Sequence, residues 1–286
     1  MSKAAFHVFS PKKLLSGVVF ASPHSGAEYT QSFMSRSILS PHQIRSSEDA
    51  FVDQLFAAAP DCGSPFLTAV APRAYLDLNR AIDELDPALI EGVPRKGQNP
   101  RIASGLGVIP RVVARGQAIY RGKLSMIEAQ ERINGFWVPY HAALQNLLQQ
   151  AHGQFGQAIL LDCHSMPHEA IETMGTRRDH LPDVVLGDRF GSSASGEVVD
   201  QIEAAFVGAG LKVCRNTPFA GAYITQAYGR PSRGQHAVQV EIDRALYMDE
   251  AAIMPNSNFA ALKELLRGVV AEISQIGDEP SALAAE

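Results

Sequence analysis

Three cysteines, Cys62, Cys163 and Cys214, are all that the 286 residues contain. An odd number without a Cys-x-x-Cys spacing gives no disulfide framework and reads as the reduced thiols of a cytoplasmic protein. Runs of one charge are missing too. The 25 basic residues face 30 acidic ones, for a formal charge of −5, and none of the basic residues gather into the stripe that a nucleic-acid partner requires. Acidic small molecules stay open, because a pocket needs only one or two arginines. Long apolar runs are absent, and nothing approaches the roughly 20 residues of a membrane span. Lys12-Lys13 ahead of the apolar stretch 14–22 imitates a short signal peptide. Cleavage near Ser22 would remove the strand expected to present His24, so the stretch is read as structural. With charged residues at 19%, long disordered tails are not expected. What is present is a chain 46% hydrophobic, of a length normal for one large α/β domain spanning residues 1–286.

Apolar runs bounded by Gly and Pro predict strands at 17–22, 66–70, 74–78, 158–162, 183–186, 211–214, 222–225 and 236–242. Helical periodicity covers 44–59, 196–209 and 258–275. Within 44–59, Phe51, Val52, Leu55 and Phe56 share a face, while Asp49 and Asp53 lie one turn apart on another. The longest helix is expected over 123–152, with Ile127, Ile133, Trp137, Leu144 and Leu148 inward and Pro139 kinking or breaking it. The stretch 83–107 is rich in Gly, Pro and charge and has no period, as in a lid or pocket wall. There is no internal repeat and no linker. Strands alternating with helices predict an α/β fold: a single three-layer αβα domain around a mixed, largely parallel sheet.

Reactive side chains gather where strands end. His24 follows the first strand, Asp77-Leu78-Asn79-Arg80 ends another, His164 follows 158–162, and Glu241 lies in 236–242. In open α/β sheets, sites form beyond the carboxyl ends of strands. A catalytic zinc takes about three protein ligands, mostly His with one carboxylate, and keeps a position for water. The chemistry also needs a carboxylate to take the water's proton and a cation to orient the substrate. Each residue has a bland reading. A lone His after a strand is more often a loop or core residue, Glu241 could pair with Arg244, and Arg80 could be a surface arginine. Their joint arrangement points to a metal-dependent hydrolase. Trp137 and Tyr140 read as core, His141 as packing or helix surface, and His236 as facing away from the site. Cys163 alternates with His164 along a strand and faces the other side, which argues against a cysteine hydrolase.

The order His, Asp-x-Asn-Arg, His-Ser, strand Glu resembles the zinc carboxypeptidase and aspartoacylase superfamily. A closer resemblance is to the N-formylglutamate amidohydrolase family. It is carried by SPHSG (22–26), EDAFVDQLF (48–56), YLDLNR (75–80), IYRGKL (119–124), FWVPYH (136–141), LLDCHSMP (160–167), PDVVLGD (182–188) and GAYITQAYGRPSRGQHAVQVEIDRALYMDE (221–250). Members of that family hydrolyse N-formyl-L-glutamate to formate and glutamate, in one route of histidine breakdown.

The resemblance implies one divalent metal ion, zinc before iron, manganese or cobalt, held by His24 and His164. Carboxypeptidases place an acidic ligand three residues after the first His, a position that is Ala27 here. The formylglutamate family instead matches Asp49 as third ligand, with Glu48 and Glu28 as rivals and Asp53 as an outer neighbour. Asp77 matches the carboxylate that hydrogen-bonds the first His and fixes its tautomer. Asn79 and Arg80 match the grip on a substrate carboxylate, and Glu241 the general base. Arg121, Arg230 and Tyr120 are candidates for holding the oxyanion or the substrate. The implied partner is a small N-acyl amino acid, with no nucleic acid and no membrane. Two other readings stand beside this one: an amidohydrolase for a different N-acyl amino acid, and a non-catalytic binder on the same fold.

Overall fold

A computed structural model describes residues 4–94, 99–172 and 181–277. Seven strands form one sheet: β1 (Phe6–Phe9), β2 (Val18–Ser22), β3 (Phe66–Ala69), β4 (Ala158–Met166), β5 (Val184–Gly187), β6 (Val213–Arg215) and β7 (Gln235–Asp243), in the order β1-β3-β2-β4-β7-β5-β6. β2, β4 and β7 run parallel, β5 is antiparallel to β7, and β5 and β6 are parallel. The sheet is therefore mixed and largely parallel, as expected. β2 and β4 are buried along their whole lengths, which explains why their sequences read as unbroken apolar runs rather than alternating ones.

The described residues pack as two compact units. One comprises Val8–Ser22, Phe51–Leu67 and the described residues from Leu144 onward. It holds β2, β4, β5, β6 and β7. Phe20, opposite Leu161 in the β2–β4 register, packs on Phe56, and Phe51 meets Phe259 edge-on. The helices Gly196–Gly208 and Phe259–Ile273 also belong to this unit, each burying an apolar stripe. The backbone just ahead of the helix Tyr223–Tyr228 reaches the opposite face of the sheet, where the Ala222 N–H donates to Gln239 Oε1.

The other unit comprises the described residues of Met1–His7, Pro23–Ala50 and Thr68–Ala143. Its core is aromatic and surrounds Arg132, whose guanidinium lies 4.2 Å from the Tyr75 ring centroid and 5.5 Å from that of Tyr120. Arg132 also donates from Nη1 to the Tyr75 carbonyl (3.1 Å) and the Tyr120 hydroxyl (2.7 Å) and from Nη2 to Glu128 (2.6 Å), so both terminal nitrogens of this buried charge are engaged.

Four expected elements differ. The helix over 44–59 is broken into a 3-10 turn (Gln43–Ser47), an extended stretch and a short helix (Val52–Leu55), because Phe51 adopts a left-handed φ of 67° that no helix continues through. Residues 74–78 are not a strand. Their alternation mimics one, but Tyr75 and Leu76 donate to the Pro72 carbonyl in a turn, and Asp77 N–H donates to Val108. Residues 222–225 open a helix rather than a strand. The long helix is real but carries a π-helical turn, Ile133–Trp137, between Met126–Arg132 and Val138–Phe155. Pro139 lacks an N–H and clashes with the carbonyl four residues back, and the wider turn absorbs both defects. The inserted residue rotates the preceding turns. Ile127 is therefore 70% exposed, while Ile133, Leu144 and Leu148 are buried as expected. Most of 83–107 is irregular apart from the short helix Pro100–Ala103, and positions 95–98 of that stretch lie outside the described residues.

Candidate metal centre

His24 sits two residues beyond the end of β2, in a turn laid tightly against residues 70–71. A Cβ at Gly26 would lie 2.2 Å from the Ala71 carbonyl oxygen, so only glycine permits this approach. The His24 ring is buried and donates from Nε2 to Asp77 Oδ1 at 2.7 Å. Donation through Nε2 puts the ring's lone pair on Nδ1, which lies 3.4 Å from Asp49 Oδ2. Asp49 reaches this place through the backbone, its N–H donating to the His24 carbonyl at 3.1 Å.

Asp77 is held as an anion. Burial pushes its carboxyl up, but His24, Arg73 and Arg80 together outweigh burial and keep it well below the usual carboxylate range. Arg73 Nε donates to Oδ2 (3.1 Å) and the Asn79 N–H to Oδ1 (2.8 Å). Asn79 and Arg80 are buried beside it. Arg80 spends Nε on the Leu106 carbonyl and Nη1 on the Asn79 carbonyl, both at 3.0 Å, which fixes the plane of its guanidinium. The long helix holds this strandless segment from behind. Trp137 Nε1 donates to the Arg80 carbonyl (3.0 Å) and His141 Nε2 to the Leu78 carbonyl (2.9 Å). Trp137 and His141 thus pack, as expected, and do so against the segment 77–80.

His164 lies inside β4, which runs on to Met166 rather than ending at 162. In the β4–β7 register His164 faces Glu241, and Asp162 faces Gln239. Neighbours in a parallel pair point to the same side and side chains two apart share a face, so Asp162, His164, Gln239 and Glu241 occupy one face of the sheet. Asp162 Oδ1 is 3.0 Å from His164 Nε2, and Gln239 Nε2 donates to Glu241 Oε1 at 2.8 Å. Glu241 is itself buried. Neither Asp162 nor Gln239 stands out in the sequence. Their signal is the two-residue spacing Asp-x-His and Gln-x-Glu within strands.

One ligand atom from each of His24, Asp49 and His164 lies within 4.8 Å of the others, and all three residues are buried. This donor set fits a divalent metal. Ligands about 2.0–2.2 Å from a tetrahedral zinc stand roughly 3.3–3.6 Å from one another, and His24 Nδ1 and Asp49 Oδ2 are 3.4 Å apart. The rival acids are placed elsewhere. Glu48 accepts from Arg45 Nε and Tyr29 Oη, both at 2.9 Å, and Glu28 is exposed. Asp53 lies in the short helix Val52–Leu55.

The remaining candidates are exposed or bonded to their own neighbours. Arg121 is exposed. Arg230 is exposed, and its Nη1 donates to the carbonyls of Gln226 (2.8 Å) and Gly229. The Tyr120 hydroxyl is buried and accepts from Arg132. His236 accepts from the Ser195 N–H at 3.1 Å, and burial lowers its basicity.

The model of the N-formylglutamate amidohydrolase family matches residues 16–248. The chain belongs to that family. Among curated N-formylglutamate amidohydrolase relatives, the N-formylglutamate deformylase of Pseudomonas aeruginosa is 28% identical over 261 residues, covering 90% of each chain. The N-formylglutamate deformylase of Pseudomonas putida is 26% identical over 263 residues, 89% of this chain and 92% of that protein. The crystal structure of N-formylglutamate amidohydrolase from Ralstonia eutropha superposes with a TM-score of 0.89 at 35% identity, covering 96% and 98% of the two chains. Within this enzyme family, His24, Asp49 and His164 form a set that could hold a metal.

Proposed function

We propose that the protein hydrolyses N-formyl-L-glutamate to formate and L-glutamate at a single divalent metal, zinc by its donor set, held by His24, Asp49 and His164. The observation that carries this reading is the buried group of three ligand atoms, in a chain whose relatives are named N-formylglutamate deformylases. When bound, the ion would lower the pKa of a water to near 7 and supply an electrophile for the formyl oxygen.

The rest is done by side chains. Glu241 takes a proton from the attacking water as the carbon–oxygen bond forms. It returns that proton to the nitrogen as the carbon–nitrogen bond breaks, a role worth roughly 10²- to 10⁴-fold. Asp77 fixes the tautomer and the ring plane of His24. Arg80, its plane already set by two carbonyls, presents the remainder of its fork to a substrate carboxylate, with Asn79 beside it. Arg121 and Arg230, both exposed, are the further cations proposed to contact the substrate.

The test is formate release from N-formylglutamate by zinc-loaded protein, beside a panel of N-acetyl, N-propionyl and other N-formyl amino acids. Formate release at least 100-fold above that of Glu241→Gln is expected, consistent with loss of a general base. Release no greater than in that variant would refute the reading. Faster turnover of another N-acyl amino acid would move the specificity, since one methylene is worth only about 1–3 kcal/mol in a pocket.

A further inference from the structure

We propose that Gln239 is a positioning residue for Glu241, fixing one oxygen of that carboxylate through a hydrogen-bond chain that starts at the backbone of residue 222. The inference rests on the amidohydrolase role assigned to Glu241. Gln239 and Glu241 lie two apart on β7 and so share a face, both buried. The Gln239 amide is held at both ends. Its Oε1 accepts from the Ala222 N–H at 3.0 Å, which settles the amide's orientation, and its Nε2 donates to Glu241 Oε1 at 2.8 Å. A glutamate side chain has three rotatable bonds, and a donor anchored to the backbone removes much of that freedom at the carboxylate.

The anchor has its own support. Gly187 on β5 is the register partner of Gln239. A Cβ at position 187 would lie 2.6 Å from Gly221 N and 2.7 Å from the Ala220 carbonyl carbon. Only a glycine there lets 220–222 lie down on the strand pair at the height where the Ala222 N–H meets Gln239. The sequence therefore commits four positions, Gly187, Ala222, Gln239 and Glu241, to the orientation of one carboxylate.

Two near-isosteric variants test this on the zinc-loaded full chain. Gln239→Met removes both hydrogen bonds. Gln239→Glu keeps an oxygen for the Ala222 N–H but replaces the donor facing Glu241 with a like charge, so it spares a purely structural role. In both, kcat on N-formylglutamate is expected to fall about 10- to 100-fold with KM within about threefold, as for a misaligned reacting group. Metal content is expected to be unchanged. In a Glu241→Gln background, adding Gln239→Glu is expected to change kcat by less than about twofold, because the two residues act as a unit. A Gln239→Glu enzyme within threefold of wild-type kcat, a loss carried by KM, or an equal loss in both backgrounds overturns the proposal. Should Gln239→Met fail to fold, Gln239→Glu alone decides. Wild-type protein that releases no formate removes the amidohydrolase reading itself, whereas an active wild type with an untouched Gln239→Glu removes only this inference.

Discussion

The most informative single residue is Asp77, because it is not itself a proposed ligand yet its hydrogen bond to His24 Nε2 determines which nitrogen of that ring faces Asp49. Asp77→Asn retains the size and loses the charge. Outer carboxylates of this kind change metal affinity by roughly 10–100-fold, and competition against a chromogenic chelator is expected to show a loss in that range. Affinity unchanged within twofold would detach Asp77 from the metal centre. The sequence marked His24, His164 and Glu241 because each stands at or near the end of an apolar run. Asp49 was harder to choose among three acids. What separates it from Glu48 is a backbone hydrogen bond to His24 and the pairing of Glu48 with Arg45 and Tyr29, and neither is encoded in spacing. Asp162 was hidden for a related reason, since a fully buried acid inside an apolar strand has no pattern until its neighbour across the face is known.

At the scale of elements, the helix with the π turn acts as the support of Asp77-Leu78-Asn79-Arg80. Trp137→Phe removes the N–H that holds the Arg80 carbonyl, together with part of the ring. A neutral hydrogen bond of about 0.5–1.5 kcal/mol predicts a KM raised roughly 2- to 10-fold with kcat nearly constant. A fall confined to kcat would show that Arg80 does not serve substrate binding. A second element-level device ties the end of β4 to the end of β7. His168 Nδ1 lies 2.8 Å from Asp243 Oδ2, with Glu172 (3.7 Å from Nε2) and Glu250, which accepts from the His168 N–H, also facing it. The bond to Asp243 raises the His168 pKa against an opposing effect of burial. Burial pushes the Asp243 carboxyl up, so its protonation ends the pair on the acid side. Because the folded value of His168 is raised, its stabilisation is complete below the ordinary imidazole value of about 6.5 and fades as pH rises through the folded value. His168→Gln is therefore expected to lower Tm more at pH 6 than at pH 9, and an equal drop at both contradicts the assignment. Elements were legible where periodicity was uninterrupted, as in Gly196–Gly208, Phe259–Ile273 and β7. They were misread where a single backbone event overrode pattern: a left-handed Phe51, the turn after Pro72, and the extra residue of the π turn.

At the scale of the molecule, the mixed and largely parallel sheet followed from buried strands alternating with helices, because parallel strands covered on both faces leave unmistakable apolar runs. Among the described residues, no helix is long and apolar enough to cross a membrane. An ion that binds only the folded chain should also stabilise it, by about 2.7 kcal/mol at a free concentration a hundredfold above Kd. Chelation is therefore expected to lower Tm by several degrees and zinc to restore it. The most direct test of the central claim is anomalous diffraction at the zinc edge from crystals of the zinc-loaded protein. A single strong peak bonded to His24 Nδ1, a carboxylate oxygen of Asp49 and an imidazole nitrogen of His164 is the expected result. A peak ligated by Glu28 or Glu48 instead, or no peak touching both imidazoles, would contradict it.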